Sequence, residues 1–158
     1  MRTIGPRSGP TIGPSSVVLL AAGALFGLAA PFLTAATPPE TPVSVLSDLS
    51  ASLSNSNPSG ALSVFDRQMP GYYALERNVQ AIADQCDVAS TIDVVTDDEA
   101  GNVHKLDLDW FLQVTSRTDP NLLERRRVRV KVEMRQIKGR WKITAMEPVS
   151  ILEPLRVR

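Results

Sequence analysis

Three runs in the last third of the chain, Val103–Ser116, Glu124–Gln136 and Arg140–Glu147, alternate apolar and polar residues almost without a break. A period of two is what a β-strand with one buried and one wet face requires, because successive side chains leave the sheet on opposite sides. In the second run Val128, Val130, Val132 and Met134 fall on one side. Arg125, Arg127, Arg129, Lys131, Glu133 and Arg135 fall on the other. In the third run Trp141, Ile143 and Ala145 share the inner side. The chain must therefore build a sheet whose inner face is nearly all hydrocarbon, and that is the face on which a pocket enzyme would carry its acids and bases.

The 158 residues hold 17 basic and 17 acidic side chains, so no global charge draws the chain toward nucleic acid. No charge occurs between Arg7 and Glu40. Within that gap Val17–Ala30 (VVLLAAGALFGLAA) is continuously apolar or small; two arginines precede it, and Pro31 and Leu33-Thr34-Ala35-Ala36-Thr37 follow it. A basic start, an apolar run of about 14 residues and small residues at a cleavage point are the parts of a secretory signal, with cleavage expected after Ala36. Read instead from Val17 to Ala36, the run of about 20 residues would serve as an uncleaved membrane anchor. In either case residues 1–36 imply an exported domain, periplasmic or secreted, that touches a membrane only if the segment is uncleaved. Cys86 is the single cysteine, so no internal disulfide is available; a small buried residue closing a helix is its expected role.

After the proline-rich linker 37–42 (TPPETP), Val45, Leu46, Leu49 and Leu53 recur at helical spacing until Asn55-Ser56-Asn57-Pro58. Ser59 is positioned to cap a second helix carrying Leu62, Phe65 and Met69, which Pro70-Gly71 ends. Tyr72, Leu75, Val79, Ile82 and Cys86 make the stripe of a third helix. The first strand is expected over Val88–Thr96, a turn over Asp97–Asn102, and a loop over Arg117–Leu122. Lys138-Gly139 is a two-residue connection that sets Met134 against Ile143, Val132 against Ala145, Arg135 against Lys142 and Glu133 against Thr144. Three helices followed by an antiparallel meander describe an α+β domain, with the helices covering the apolar face.

The helix "SGALSVFDRQM", the strand "KLDLDWFLQV" and the closing "GRWKITAMEPVSILEP" carry a resemblance to the nuclear transport factor 2-like superfamily, the cystatin-like cone. Gly139 stands in the turn of the closing segment, Trp141 points inward and Pro148 ends the strand. Leu152 occupies the place before the last proline where the family often has phenylalanine. The resemblance covers residues 43–154 and leaves 155–158 as a tail. It implies a strongly curved antiparallel sheet closed by helices around a conical cavity. Members that resemble ketosteroid isomerase carry a tyrosine on the first helix and carboxylates on inward strand positions, where an apolar setting raises a carboxyl pKa toward neutrality. Other members act as membrane-anchored assembly subunits of secretion systems.

This chain departs from the catalytic pattern. Val43–Asn57 contains no tyrosine or histidine, and the inward positions Leu106, Leu108, Trp110, Leu112 and Val114 offer no general base. Asp107 and Asp109 share one face of their strand, but it is the outer one, where Arg127, Arg129 and Lys131 of the next strand lie across from them; a solvated charge ladder results. His104, the single histidine, shares the inward parity but starts its strand and is expected at an exposed rim. Asp97, Asp98 and Glu99 read as a solvated turn, with no metal-ligand spacing. The run Arg125-Arg126-Arg127 belongs to the polar outer face, and without interleaved aromatics it does not read as a nucleic-acid surface. Tyr72 continues the apolar stripe of the third helix, while Tyr73 points elsewhere.

The sequence thus predicts a non-catalytic domain that needs no cofactor or metal. It either binds a small apolar ligand, with Tyr72, Leu108, Trp110, Val130 and Trp141 lining the cavity, or serves as an interaction module. In the second case a homodimer would form through Asp107, Asp109, Arg127, Arg129 and Lys131. The competing expectation is an isomerase or dehydratase using the rim residues Tyr72, His104 or Glu124.

Overall fold

The computed structural model describes residues 39–155. The expected signal or anchor segment 1–36, the start of the 37–42 linker and most of the 155–158 tail lie outside them. Helix α1 spans Pro42–Ser54 and opens on a reciprocal cap: Thr41 Oγ1 accepts from the Ser44 amide at 3.1 Å, and Ser44 Oγ accepts from the Thr41 amide at 2.9 Å. Pro42 sits at the first helical position, where its missing N–H costs nothing.

Helix α2, Pro58–Ser63, is shorter than the expected one and starts differently. Asn57 rather than Ser59 caps it, accepting from the Gly60 amide at 2.9 Å, because Pro58 takes the first helical position and places the cap directly before it. Phe65 and Met69 are buried but not helical. The backbone of this stretch is claimed by the sheet: the Ile143 amide donates to Val64 O at 2.8 Å, and the Asp66 amide donates to Ile143 O at 2.9 Å.

Helix α3 spans Tyr72–Gln85 and buries Tyr72, Leu75, Val79 and Ile82 as expected. It passes without a loop into β1, Cys86–Ala100. Cys86 is buried, but as the first residue of the strand rather than the last of the helix. Strands β2 (Val103–Ser116), β3 (Leu123–Ile137) and β4 (Arg140–Glu147) complete an antiparallel meander in the order β1-β2-β3-β4. A short 3-10 turn, Val149–Leu152, follows. The β1–β2 turn is only Gly101-Asn102, so the acidic stretch expected as a loop is strand.

Lys138 and Gly139 both take positive φ (52° and 77°), the conformation of a tight hairpin whose twist matches its strands. Met134 faces Ile143 and Arg135 faces Lys142 as the turn predicts. Beyond them a bulge between Glu133 and Met134 shifts the register, so that Val132 faces Met146 and Glu133 faces Ala145. Ala145, expected inside, is exposed, and Met146 is buried in its place. A second bulge lies between Val94 and Thr96 on β1. Bulges bend and twist the strand that carries them, and the helices occupy the inner side of the curved sheet.

The core joins the two layers. Leu49 and Leu75 from the helices, Leu108, Trp110, Leu112 and Val114 from β2, Val130 and Met134 from β3, and Ile143 from β4 are all fully buried. Among the described residues no buried side-chain nitrogen or oxygen lacks a hydrogen-bond partner.

Candidate functional site

The five expected cavity residues separate into three places. Leu108, Trp110 and Val130 are 0 % exposed within the core cluster. Trp110 Nε1 donates to Ser90 Oγ at 3.0 Å across the β1–β2 ladder, which satisfies the one polar atom of its ring. Trp141 borders a surface depression of about 310 Å³ between α1, α2 and the start of β4, whose other walls include Glu40, Asp48, Asn55, Arg140 and Lys142. Tyr72 borders a different depression of about 560 Å³, beside Phe65, Asp66, Gln68 and Glu76. Both are open to solvent, with polar and apolar groups mixed in their walls.

Glu40 belongs to the expected linker but takes a structural part. One carboxylate oxygen accepts the Trp141 amide at 2.8 Å, and the other lies 3.4 Å from the Arg140 guanidinium. Lys142 Nζ donates to Ser63 O nearby, and burial of that amine holds its pKa below the usual lysine value.

His104 is not the exposed rim residue its position suggests. It is 8 % exposed, its Nδ1 lies 2.7 Å from Asp97 Oδ1, and its ring meets Trp141 edge-to-face at 4.8 Å. The Val94/Thr96 bulge is the cause. An extra residue flips the alternation beyond it, so Asp97 turns inward toward His104. No period-two reading of the sequence shows where such a residue is inserted.

Glu124, another of the rim candidates, does not converge on this pair. Glu124 pairs with Val114, whereas His104 pairs with Met134. Ten residues of β2 separate the two positions, about 30 Å along an extended strand. Among the described residues no group of three or more metal-ligating side chains comes together.

The outer face holds the expected ladder. Asp107 faces Lys131 and Asp109 faces Arg129 in register. The close ion pair is nonetheless diagonal, with the Arg127 guanidinium bonded to both carboxylate oxygens of Asp109 at 2.8–3.2 Å. Asp93 of β1 stands directly opposite Asp109, and the same guanidinium interacts with both carboxylates. The hydrogen bond from Arg127 holds the Asp109 carboxyl below its ordinary pKa and raises that of the arginine. A shallow groove of about 510 Å³ runs over this face, crossing Thr96, Asp98, Lys105, Asp107, Lys131 and Glu147.

Arg126 is the residue that counting the arginine run as one outer face overlooks. Its parity is that of Val128 and Val130, so it points to the helix side. There it donates to the carbonyls of Ile151 and Glu153 and pairs with Glu124 at 2.9 Å. Strict alternation along β3 was the available signal.

No protein-family model matches the sequence, and no curated protein matches it. Solved structures do. A conserved protein from Planctomyces limnophilus DSM 3776 superposes with a TM-score of 0.60 at 9% identity, over 66% of this chain and 88% of the other. A nuclear transport factor 2-like superfamily protein from Salmonella enterica gives 0.54 at 13% identity, over 65% and 83%. A putative scytalone dehydratase from Novosphingobium aromaticivorans gives 0.55 at 10% identity, over 66% and 77%. The fold is that of the nuclear transport factor 2-like proteins.

Proposed function

We propose that this nuclear transport factor 2-like domain is a non-catalytic interaction module, exported by residues 1–36, that pairs with a second copy through the outer face of its sheet. One observation carries the reading: three of the five residues expected to line the cone are spent on packing. Leu108, Trp110 and Val130 are fully buried among Leu49, Leu75 and Ile143, and interiors of that density leave little room for a guest. One of the similar structures bears the name of a dehydratase; an activity of that kind needs an acid and a base around one substrate. Here the imidazole of His104 and the carboxylate of Asp97 do meet at 2.7 Å, but the pair lines none of the depressions described above, and Glu124 lies at the opposite end of β2.

The outer face favours a second copy. Acidic Asp93, Asp107 and Asp109 occupy β1 and β2, while Arg125, Arg127, Arg129 and Lys131 occupy β3. A two-fold axis over β2–β3 would lay each stripe on its opposite. Sedimentation of the full-length protein at about 0.02 M and about 0.5 M salt tests the contact, because screening weakens exposed charge pairs. A dimer that dissociates as salt rises, and that the double substitution Arg129→Glu, Lys131→Glu abolishes at low salt, is expected. A monomer at low salt rejects the pairing, and an apolar molecule retained in native mass spectrometry would restore the ligand-binding reading.

A further inference from the structure

The edges of this sheet are covered unequally. A strand edge presents unpaired N–H and C=O groups that invite another chain unless they are blunted. On β4 the Trp141 amide is taken by Glu40, and both backbone groups of Ile143 are taken by Val64 and Asp66. On β1, Ser90 O accepts from Ser50 Oγ at 2.7 Å and its amide donates to Ser54 Oγ at 3.2 Å, both from α1. Further along, the Val94/Thr96 bulge breaks the ladder. Among the described residues no backbone group gives the odd-numbered positions in the first half of β3 a comparable cover. β4 pairs only with Lys131–Ile137, so Leu123–Val130 has β2 on one side and no strand on the other.

The direction of the exposed groups follows from the hairpin. Ile137 and Arg140 flank a two-residue turn and exchange backbone bonds. By alternation the amides and carbonyls of Arg129, Arg127, Arg125 and Leu123 point to the side where β4 has already ended. The segment from Val149 to Leu155 runs nearby, but the Arg126 side chain holds it; among the described residues no backbone hydrogen bond joins it to Leu123–Val130. Between the two lies an open groove of about 720 Å³ whose walls mix Leu122, Val128 and Leu155 with Glu124, Arg126 and Glu153.

We propose that this half-edge receives an extended acidic segment of a partner protein as a fifth strand. Main-chain bonds to the odd-numbered residues of β3 would supply the pairing. Side chains on the outer side of the added strand would lie beside Arg125, Arg127 and Arg129, all exposed, and must be acidic there. The alternate side chains would enter the groove between Val128 and Leu155, where Arg126 and Glu124 already pair with each other, so uncharged groups fit there. A second copy fits poorly. Two β3 edges would set arginine against arginine, and the acidic edge of β1 is interrupted by its bulge. The inference shares Arg125, Arg127 and Arg129 with the outer face invoked for self-pairing, and the backbone amides of the edge, which self-pairing does not use, tell the two apart.

The test uses the full-length chain and a fluorescein-labelled peptide of about eight residues alternating Val and Glu, the length of an ordinary strand. Saturable binding by anisotropy is expected, absent for a Val/Lys peptide. Arg129→Ala removes one charge and should weaken binding about threefold; Arg129→Pro also removes an edge amide and should weaken it about tenfold more. Proline is tolerated where an N–H faces solvent, and far-UV circular dichroism checks the fold. If that variant does not fold, hydrogen exchange by NMR decides on the unaltered chain: the peptide should slow exchange of the Arg125, Arg127 and Arg129 amides. Failure of the Val/Glu peptide to bind, equal affinity for the Val/Lys peptide, or unchanged amide exchange each overturns the proposal.

Discussion

Trp110 sets the character of the interior. It stands at the centre of β2, excluded from solvent, with its single N–H assigned to Ser90, so an aromatic suited to stacking on a ligand is structural filling instead. Asp109 does the opposite on the outer side of the same strand. Alternation placed Arg127, Arg129 and Lys131 together across from Asp107 and Asp109; Arg129 is the register partner of Asp109, yet Arg127 makes the bond, because a long side chain reaches its diagonal neighbour as readily as its direct one. Arg127 is 71% exposed, so the pair is a modest contributor screened by water. Its pH dependence has a definite sign. Arg127 lowers the Asp109 carboxyl pKa in the folded state, so the stabilisation is present above the ordinary carboxylate pKa and is lost as pH falls through the lower folded value. In urea titrations Asp109→Asn should be less stable than the unaltered protein at pH about 7, with the gap closing in strong acid. A gap that persists or grows on acidification would contradict the assignment.

Among the elements, the strands are closer to their sequence reading than the helices. β2 and the 117–122 loop occupy the predicted residues, since a run with one apolar face tolerates only one register before its side chains change sides. α2 does not, because Phe65 and Met69 keep a helical spacing while the backbone there bonds to the β4 edge. Gly60 marks how tightly α2 is set. A Cβ at that position would lie 2.6 Å from Asn57 Nδ2 and 2.7 Å from Ser52 Oγ. Alanine in a helix interior normally gains up to about 1 kcal/mol over glycine. Losing the Asn57 cap costs about 0.5–2 kcal/mol, and the close contact with Ser52 adds to that. Gly60→Ala should therefore lower stability by about 1 kcal/mol in urea denaturation, against its helix propensity. A stabilised variant would mean that the Asn57 side chain yields without cost.

At the scale of the whole molecule, Arg126 closes the domain. Its side chain is 11% exposed, and it ties Ile151 and Glu153 of the C-terminal segment to β3. The same segment reaches β1, where burial pushes the Cys86 thiol's pKa up and the nearby Leu155 backbone partly offsets it. Arg126→Ala should cost about 2–3 kcal/mol, the range for losing charged hydrogen bonds from a largely buried site. It should also release the segment, so that Cys86 reacts with a thiol reagent about tenfold faster or more under native conditions. Destabilisation with unchanged thiol reactivity would show that the segment stays in place by its apolar contacts alone.

Alternation along the chain by itself determined the α+β class, three of the four strands to within a residue, the hairpin at Lys138-Gly139 and the charged outer face, because these follow from short-range geometry that repeats every two residues. It could not locate two inserted residues, and each one reverses every side chain beyond it. For that reason only the folded molecule decided that Asp97 turns in to meet His104 and that Met146 replaces Ala145 in the core. The use of Glu40 and Arg126 as clips was likewise settled in three dimensions. Both bind backbone groups some 25 to 101 residues away, and contacts at that distance leave no periodic trace in the sequence.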